Sequence, residues 1–521
     1  MGCAARANPQ QIDSTIGQAV SKNLQSPWTR RVSVDLWTLS IALLLALGFV
    51  LRAWRLSSMP PAVHPDEMAG LVGVLDELQR RAPLRPFFDY RIFYLPLYGI
   101  GEYISSLFFG YNAAAYRFPA VIYGLVTIVC TIGLTYRLTK NRLAALCAGV
   151  TSAILPWEIT VSRIAWEDAA MLPFLLGGLW ALRAGIEDSS VPRLALAGAL
   201  LGIDAYSYRA ALPDALILAA ALLAIDFRRA MRTFGGILAG TLIFAVVVAP
   251  LIVSVLHDPA FFWRDYYIST FREGITSATR ARFIHNYFAH FDLGPLFFRG
   301  DGNPQHGPAY GVLYLWMLPM MAIGLIAGFS QYGAGVGIFL LIWLLLYPLG
   351  GALTNDGIPH FLRTLAGAPL AAILSGIGLA VAWKAIEAMR YARVAAAAFA
   401  LLVFIALSQF CQAYFIGYLP AAADAYQYEN RDLFLSIRAH VRQAQRICFK
   451  GLNDMNSLTL FSYYLRDVKI PIHERMDPAC LQPGTLAVVQ SPGDAPPDAR
   501  LMATIQAFDG RPRYSIFLTK S

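Results

Sequence analysis

Two acidic pairs stand where a carboxylate could do chemistry. His64-Pro65-Asp66-Glu67 follows directly on the first long apolar run, and Glu167-Asp168 lies between two later runs, preceded by Arg163 and Trp166. A carboxylate held at the mouth of a membrane span can act as general base toward an incoming hydroxyl. The competing roles are structural. Asp66 could accept from backbone N–H groups two or three residues on as a helix cap, and Glu167 and Asp168 could favour the dipole of a starting helix. Adjacent acids are costly beside a bilayer unless they serve a purpose. Both pairs fall at the mouths of neighbouring spans on one side of the membrane, which points to a shared site with Asp66, Glu67 and Asp168 as its acids.

Arginines occupy the same side. Arg163 precedes the second acidic pair, Arg117 opens a span in Tyr116-Arg117-Phe118-Pro119, Arg209 ends Tyr206-Ser207-Tyr208-Arg209, and Arg363 follows His360 by three residues, one helical turn. Arginine stays charged and grips phosphate with two parallel N–H groups, so these residues with His360 are candidates for a lipid-phosphate leaving group. Their alternative is interfacial anchoring. Asp301 and His306 sit five apart in Arg299-Gly300-Asp301-Gly302-Asn303-Pro304-Gln305-His306-Gly307. They could contact a metal or a sugar, although the Gly, Asn and Pro density says turn first. Two ligands do not make a metal site, so no metal and no cofactor are expected.

The elements that position these residues must be membrane spans. Of the 521 residues 57% are apolar and only 14% charged, and mean hydropathy is +0.50. Ordinary soluble proteins run near half apolar and a quarter charged, so a soluble or disordered chain is excluded and the lipid bilayer is the first partner. The formal charge of +9 is spread over short loops rather than clustered among aromatics, which excludes nucleic acid as a partner. Six cysteines give no zinc spacing. Cys130, Cys147 and Cys411 fall in apolar runs, whereas Cys448 and Cys480 lie in the polar tail and can pair if that tail is outside the reducing cytosol.

Runs of spanning length occur at 35–53, 117–138, 142–160, 168–186, 192–207, 210–226, 232–256, 309–329, 333–350, 361–383 and 392–417, predicting about eleven transmembrane helices. Residues 1–34 read as a disordered cytoplasmic N-terminus without a cleavable signal. The stretch 92–110, with Glu102, two glycines and Pro96, is ambiguous. If it does not span, the inner loops collect Arg137, Lys140, Arg142, Arg183, Arg193, Arg228, Arg229, Arg232, Lys384, Arg390 and Arg393, while the short outer loops hold one arginine each, at 163, 209 and 363. That asymmetry is the expected one. The stretch is therefore read as an amphipathic segment on the outer surface. The outer loops become 54–116 and 257–308, and residues 418–521 become an outer soluble domain, with a helix-like stretch at 424–446 and strand-like runs at 485–490 and 514–519. The expected architecture is an all-α polytopic membrane domain over 35–417 with a small α/β domain at its C-terminal end.

Pro65-Asp66-Glu67 after the first span, an amphipathic stretch ending Leu107-Phe108-Phe109-Gly110, Arg117-Phe118-Pro119 at the start of a span, and Ser162-Arg163 shortly before Asp168 come in this order on one side of the membrane. This pattern resembles the GT-C superfamily of integral-membrane glycosyltransferases, in particular its protein O-mannosyltransferase and aminoarabinose-transferase branch. The resemblance covers residues 35–255 well and 360–369 loosely. It implies a polyprenyl-phosphate sugar donor, a glycolipid, glycan or protein acceptor with a free hydroxyl, and inversion at the anomeric centre. It also implies Asp66 as catalytic base, Asp168 as supporting acid, and a site facing out of the cytoplasmic membrane. The chain departs from the aminoarabinose branch at Leu95-Pro96, where that branch carries Lys-Pro, so the donor sugar does not carry over.

Two other classes fit many spans with arginines. A lipid-linked-sugar transporter or flippase would show broken spans in paired halves with acids at mid-membrane depth, and a non-catalytic envelope-assembly subunit would have no need of two acidic pairs at one face.

Overall fold

The computed structural model describes residues 35–79, 95–257, 263–450, 464–465, 467–473, 475–490 and 492–520. The disorder expected for 1–34 lies outside them. Contacts divide the chain between Leu43 and Leu44. Of the first unit only 35–43 are described, the opening of the helix Leu36–Ala53, where Asp35 Oδ1 accepts from Thr38 N at 2.7 Å. The remainder concerns the second unit.

Each of the eleven apolar runs contains a helix. Among the described residues, seven helices are long and apolar enough to cross a membrane, and Arg142–Ile154, Ala211–Ile225 and Met317–Ser330 are shorter apolar helices. Local sequence sets several boundaries. Asn112 caps Ala113–Thr139 by accepting from Ala115 N. Lys140 then takes the left-handed conformation, and Asn141 caps Arg142–Ile154 through the N–H groups of Leu143 and Ala144, so a two-residue turn reverses the chain. The predicted run 142–160 breaks at Leu155 because Pro156 keeps its predecessor extended, and a short helix Pro156–Val161 follows. The runs at 309 and 361 become helical only at Met317 and Gly367, so His360 and Arg363 lie on a turn rather than on one helical face. Gly324 and Gly378 allow Met317–Ser330 and Gly367–Ile386 to touch backbone to backbone, since a Cβ on either would overlap a carbonyl of the other helix.

The stretch read as amphipathic forms the helix Pro96–Phe109, fourteen residues long and short of a bilayer crossing. It packs against Pro65–Gln79 at Gly70 and Gly99, where a Cβ on Gly99 would overlap the Gly70 carbonyl.

The tail is the expected α/β unit. Strands β1 (Arg446–Lys450), β2 (Ile472–His473), β3 (Thr485–Val489), β4 (Arg500–Gln506) and β5 (Pro512–Leu518) form one sheet in the order β2-β1-β3-β5-β4. β1 runs parallel to β2 and β3, and β5 antiparallel to β3 and β4. The helix Tyr428–His440 lays Leu433, Phe434 and Ile437 on Ile447, Phe449, Leu486, Val488 and Ile516, and Met68 of the helix Pro65–Gln79 enters the same core. Cys448 and Cys480 form a disulfide.

Candidate active site

A cavity of about 170 Å³ gathers side chains from segments far apart in sequence, including Asp66, Glu102, Glu167, Asp168, His306, His360 and Arg363. Five of the residues expected from the sequence to form a site thus meet here: Asp66, Asp168, His306, His360 and Arg363.

The first turn of Pro65–Gln79 separates the two acids of Pro-Asp-Glu. Pro65 at the first helical position suits a helix start, and two turns of chemistry follow from it. Glu67, third in the helix, reaches back so that its Oε2 accepts from His64 N at 2.9 Å, as in half of a capping box. Neighbouring helical side chains point about 100° apart, so Asp66 faces the cavity instead, its side chain 36% exposed. Its backbone N–H donates to His64 Nδ1 at 3.2 Å, and its Oδ2 lies 3.4 Å from the same nitrogen. Gln305 Nε2 lies 3.1 Å from His64 Nε2, and Trp166 and Tyr426 stand edge-on to the ring.

Four of the expected residues, Glu67, Arg117, Arg163 and Arg209, do not line this cavity. Glu67, expected to share the chemistry with Asp66, is fully buried. It accepts from Arg117 Nε (2.8 Å) and Nη2 (2.9 Å), Ala165 N (2.9 Å) and His64 N. Arg117, expected at a phosphate, is also fully buried. Besides Glu67 it donates to the carbonyls of Leu56, Pro60 and Ala62, which engages every N–H of its guanidinium. Arg163 donates to the carbonyls of Leu51, Arg52, Trp54 and Met59 at 2.7–3.1 Å beneath the rings of Tyr414 and Phe415. It therefore satisfies carbonyls that the end of Leu36–Ala53 leaves open. Each of these groups is committed to holding the chain that leads into Asp66. Arg209 pairs with Asp265, and its neighbour Tyr208 takes the place at the cavity.

The 299–307 turn and the 354–363 segment also line the cavity. Asp301 Oδ2 lies 2.6 Å from His306 Nδ1 and accepts from Phe361 N at 3.1 Å. Burial works to raise the Asp301 carboxyl, but the adjoining His306 outweighs it and the net direction is down. Asp301 thus orients an imidazole whose ring lies 4.6 Å from that of His360 and 5.6 Å from Trp166. His360 N donates to His290 Nε2 at 3.1 Å, while His290 Nδ1 bonds the Asn286 carbonyl at 2.8 Å. Burial holds that imidazole below its ordinary range. Arg363 uses Nη1 on Thr354 Oγ1 (2.7 Å) and the Asp356 carbonyl (2.9 Å), and Nη2 on Asp356 Oδ2 (2.9 Å).

Asp301, His306 and His360 bring possible ligand atoms within 4.8 Å of one another, as do Cys448, His473 and Cys480, where the disulfide has used both thiols. Sequence reasoning missed Glu102, Gln305 and Asp356. Glu102 was visible as an acid in an apolar stretch, but it was weighed only for whether that stretch could span.

The architecture is an ArnT-like fold. Residues 100–253 match the family model described as dolichyl-phosphate-mannose-protein mannosyltransferase, a segment that carries Glu102, Arg117, Arg163 and Asp168. No curated protein matches the chain by sequence. Among solved structures, ArnT from Cupriavidus metallidurans in the apo state superposes with a TM-score of 0.57 at 13% identity, covering 92% of this chain and 97% of that one. ArnT bound to undecaprenyl phosphate gives 0.56 at 14%, covering 93% and 98%. The Archaeoglobus fulgidus oligosaccharyltransferase tethered with an acceptor peptide containing the NVT sequon gives 0.52 at 12%, covering 86% and 65%. At these identities the likeness is one of fold.

Proposed function

We propose that the protein transfers a sugar from a polyprenyl-phosphate donor to a hydroxyl of a glycolipid, glycan or protein acceptor, with inversion, at the outer face of the cytoplasmic membrane. The observation that carries this reading is the lining of one cavity by the acids Asp66, Glu167 and Asp168 together with His306, His360 and Arg363. Asp66 takes the proton of the acceptor hydroxyl as its oxygen attacks the anomeric carbon. The bond from that carbon to the phosphate oxygen breaks, and the phosphate leaves with the electron pair toward Arg363 and the imidazoles. One preorganised donor of this kind is worth roughly 3–4 kcal/mol in the transition state.

The undecaprenyl phosphate of the ArnT structure supports a lipid-linked donor. Nucleotide sugars are absent outside the inner membrane, so an outward site needs a donor that the membrane delivers. The Cys448–Cys480 disulfide supports a tail held in an oxidising compartment, with the N-terminus inside. The test is transfer by the purified protein from radiolabelled undecaprenyl-phosphate monosaccharides, followed by thin-layer chromatography. Release of labelled product dependent on Asp66 supports the reading. Movement of intact lipid-linked sugar across vesicles without transfer overturns it in favour of a flippase.

A further inference from the structure

We propose that Glu102 reads the transferred sugar, its carboxyl hydrogen-bonding a sugar hydroxyl in the cavity. This rests on the donor reading above and deepens it. Glu102 lines the cavity and is only 1% exposed, yet neither carboxyl oxygen has a hydrogen-bond partner among the described residues. Buried polar groups in native structures are as a rule hydrogen-bonded, and an exception needs an explanation. Glu67 shows what a structural acid looks like in this fold, with two N–H groups on each oxygen. Glu102, equally buried, makes no hydrogen bond of that kind, and among backbone groups only that of Leu71 stands near enough to act on its carboxyl.

The backbone is shaped to bring that carboxyl to the cavity. Gly70 and Gly99 let the helices Pro65–Gln79 and Pro96–Phe109 touch, and a Cβ on Gly70 would stand 3.1 Å from Glu102 Oε2. Asp66 lies one turn before Gly70 on the same helix, so the free carboxyl and the proposed base share a wall.

A phosphate would be repelled by the Asp66 carboxylate and drawn to the guanidinium of Arg363 and the imidazoles of His306 and His360. What remains for Glu102 is the neutral, hydroxyl-bearing part of the donor. Burial, and after it the charge of Glu67, push the Glu102 carboxyl well above the usual carboxylate range. That shift favours the protonated form, which offers one donor and one acceptor, the same pair that a sugar hydroxyl offers in return.

The test compares binding of two kinds of probe to the full-length protein in nanodiscs. One is undecaprenyl phosphate. The other is a panel of undecaprenyl-phosphate monosaccharides bearing mannose, glucose or an amino sugar. The sugar increment is the gain in affinity of the preferred sugar-bearing lipid over undecaprenyl phosphate. Glu102→Ala should leave undecaprenyl phosphate within about twofold of wild type and weaken the preferred donor by about 10- to 100-fold, the range for one lost hydrogen bond with its partner left unpaired. Glu102→Gln keeps a donor and an acceptor and should retain the increment to within a few-fold. It also decides the case should the alanine variant fail to fold. An intact increment in Glu102→Ala, or equal losses on both kinds of probe in a folded variant, overturns the assignment. So does a glutamine variant as defective as the alanine one, which would make Glu102 a charged counter-ion for an amino sugar. Failure of the wild-type protein to bind undecaprenyl phosphate at all would instead remove the donor reading, and this assignment with it.

Discussion

Glu67 and Arg117 meet through two hydrogen bonds, Nε to Oε1 at 2.8 Å and Nη2 to Oε2 at 2.9 Å, and neither side chain is exposed. The pair ties the first turn of the helix Pro65–Gln79 to the helix Ala113–Thr139, with Asp66 one residue away and facing the cavity. Breaking it by Arg117→Ala leaves a buried carboxylate without its partner, which typically costs about 3–5 kcal/mol. The expected outcome is loss of monodisperse protein and a large drop in melting temperature. Arg117→Lys should fare little better, since three donors cannot serve five acceptor contacts. A well-folded lysine variant with altered donor affinity would return Arg117 to phosphate binding.

Asp66→Asn should abolish transfer while leaving folding near normal, because the side chain is partly exposed and its neighbour does the structural work. Loss of a general base typically costs roughly 10²–10⁴-fold in rate. More than about a tenth of wild-type activity in a folded Asp66→Asn protein is incompatible with the role. Asp168→Asn, nearly buried at the same cavity, should be damaging but less absolute.

For Arg363 the comparison is between lysine and alanine. If the guanidinium grips the leaving phosphate, Arg363→Lys should fail nearly as badly as Arg363→Ala, because lysine keeps the charge but loses the planar fork. The defect should appear in KM, kcat or both when the lipid donor is varied. Wild-type kinetics in the lysine variant would leave phosphate binding to His306 and His360.

Stability should fall on mild acidification, in part through His290. Burial lowers its folded-state pKa relative to about 6.5 in the unfolded chain. Above that pH both states are neutral and the contribution is complete. Below it the unfolded chain takes up a proton that the folded chain refuses, so stability is lost toward the folded pKa at up to about 1.4 kcal/mol per pH unit. Melting temperatures at pH 7.5 and 5.5 should therefore differ less in His290→Gln than in the wild type. Identical differences in the two proteins would show that the ring does not titrate on unfolding.

Cysteine labelling gives the topology independently. Sites near 140, 230 and 388 should react only from the cytoplasm, and sites near 64, 280 and 450 only from outside. An outside signal near 230 would mean that the helix Pro96–Phe109 crosses the bilayer, and it would remove the outward active site.

The helical runs were legible because burial in lipid demands long apolar stretches whatever the tertiary partners, and Asp66, Asp168, His360 and Arg363 because polar residues at span mouths are few. Residue type and membrane side could not tell Arg117 and Arg163 from Arg363. Whether a guanidinium meets a ligand or closes off backbone carbonyls depends on which turn of chain packs beside it, and Leu51–Pro60 reach those arginines only in the folded molecule. Glu67 and Asp66 looked alike as neighbours, yet one helical step sends them to opposite surroundings. Glu102 became a cavity residue through the contact of Gly70 with Gly99, two glycines that are far apart in sequence and unremarkable singly.

Met68 belongs at once to the helix that carries Asp66 and to the apolar core beneath the tail's sheet. That helix emerges early in synthesis, and its docking partner is made hundreds of residues afterwards. A half-made chain therefore holds Asp66 on a helix with an unfilled contact, which is closed when the tail folds onto Met68. With Asp66 as the proposed base, assembly order would itself act as a safeguard, since a later-made segment completes the packing of an earlier one.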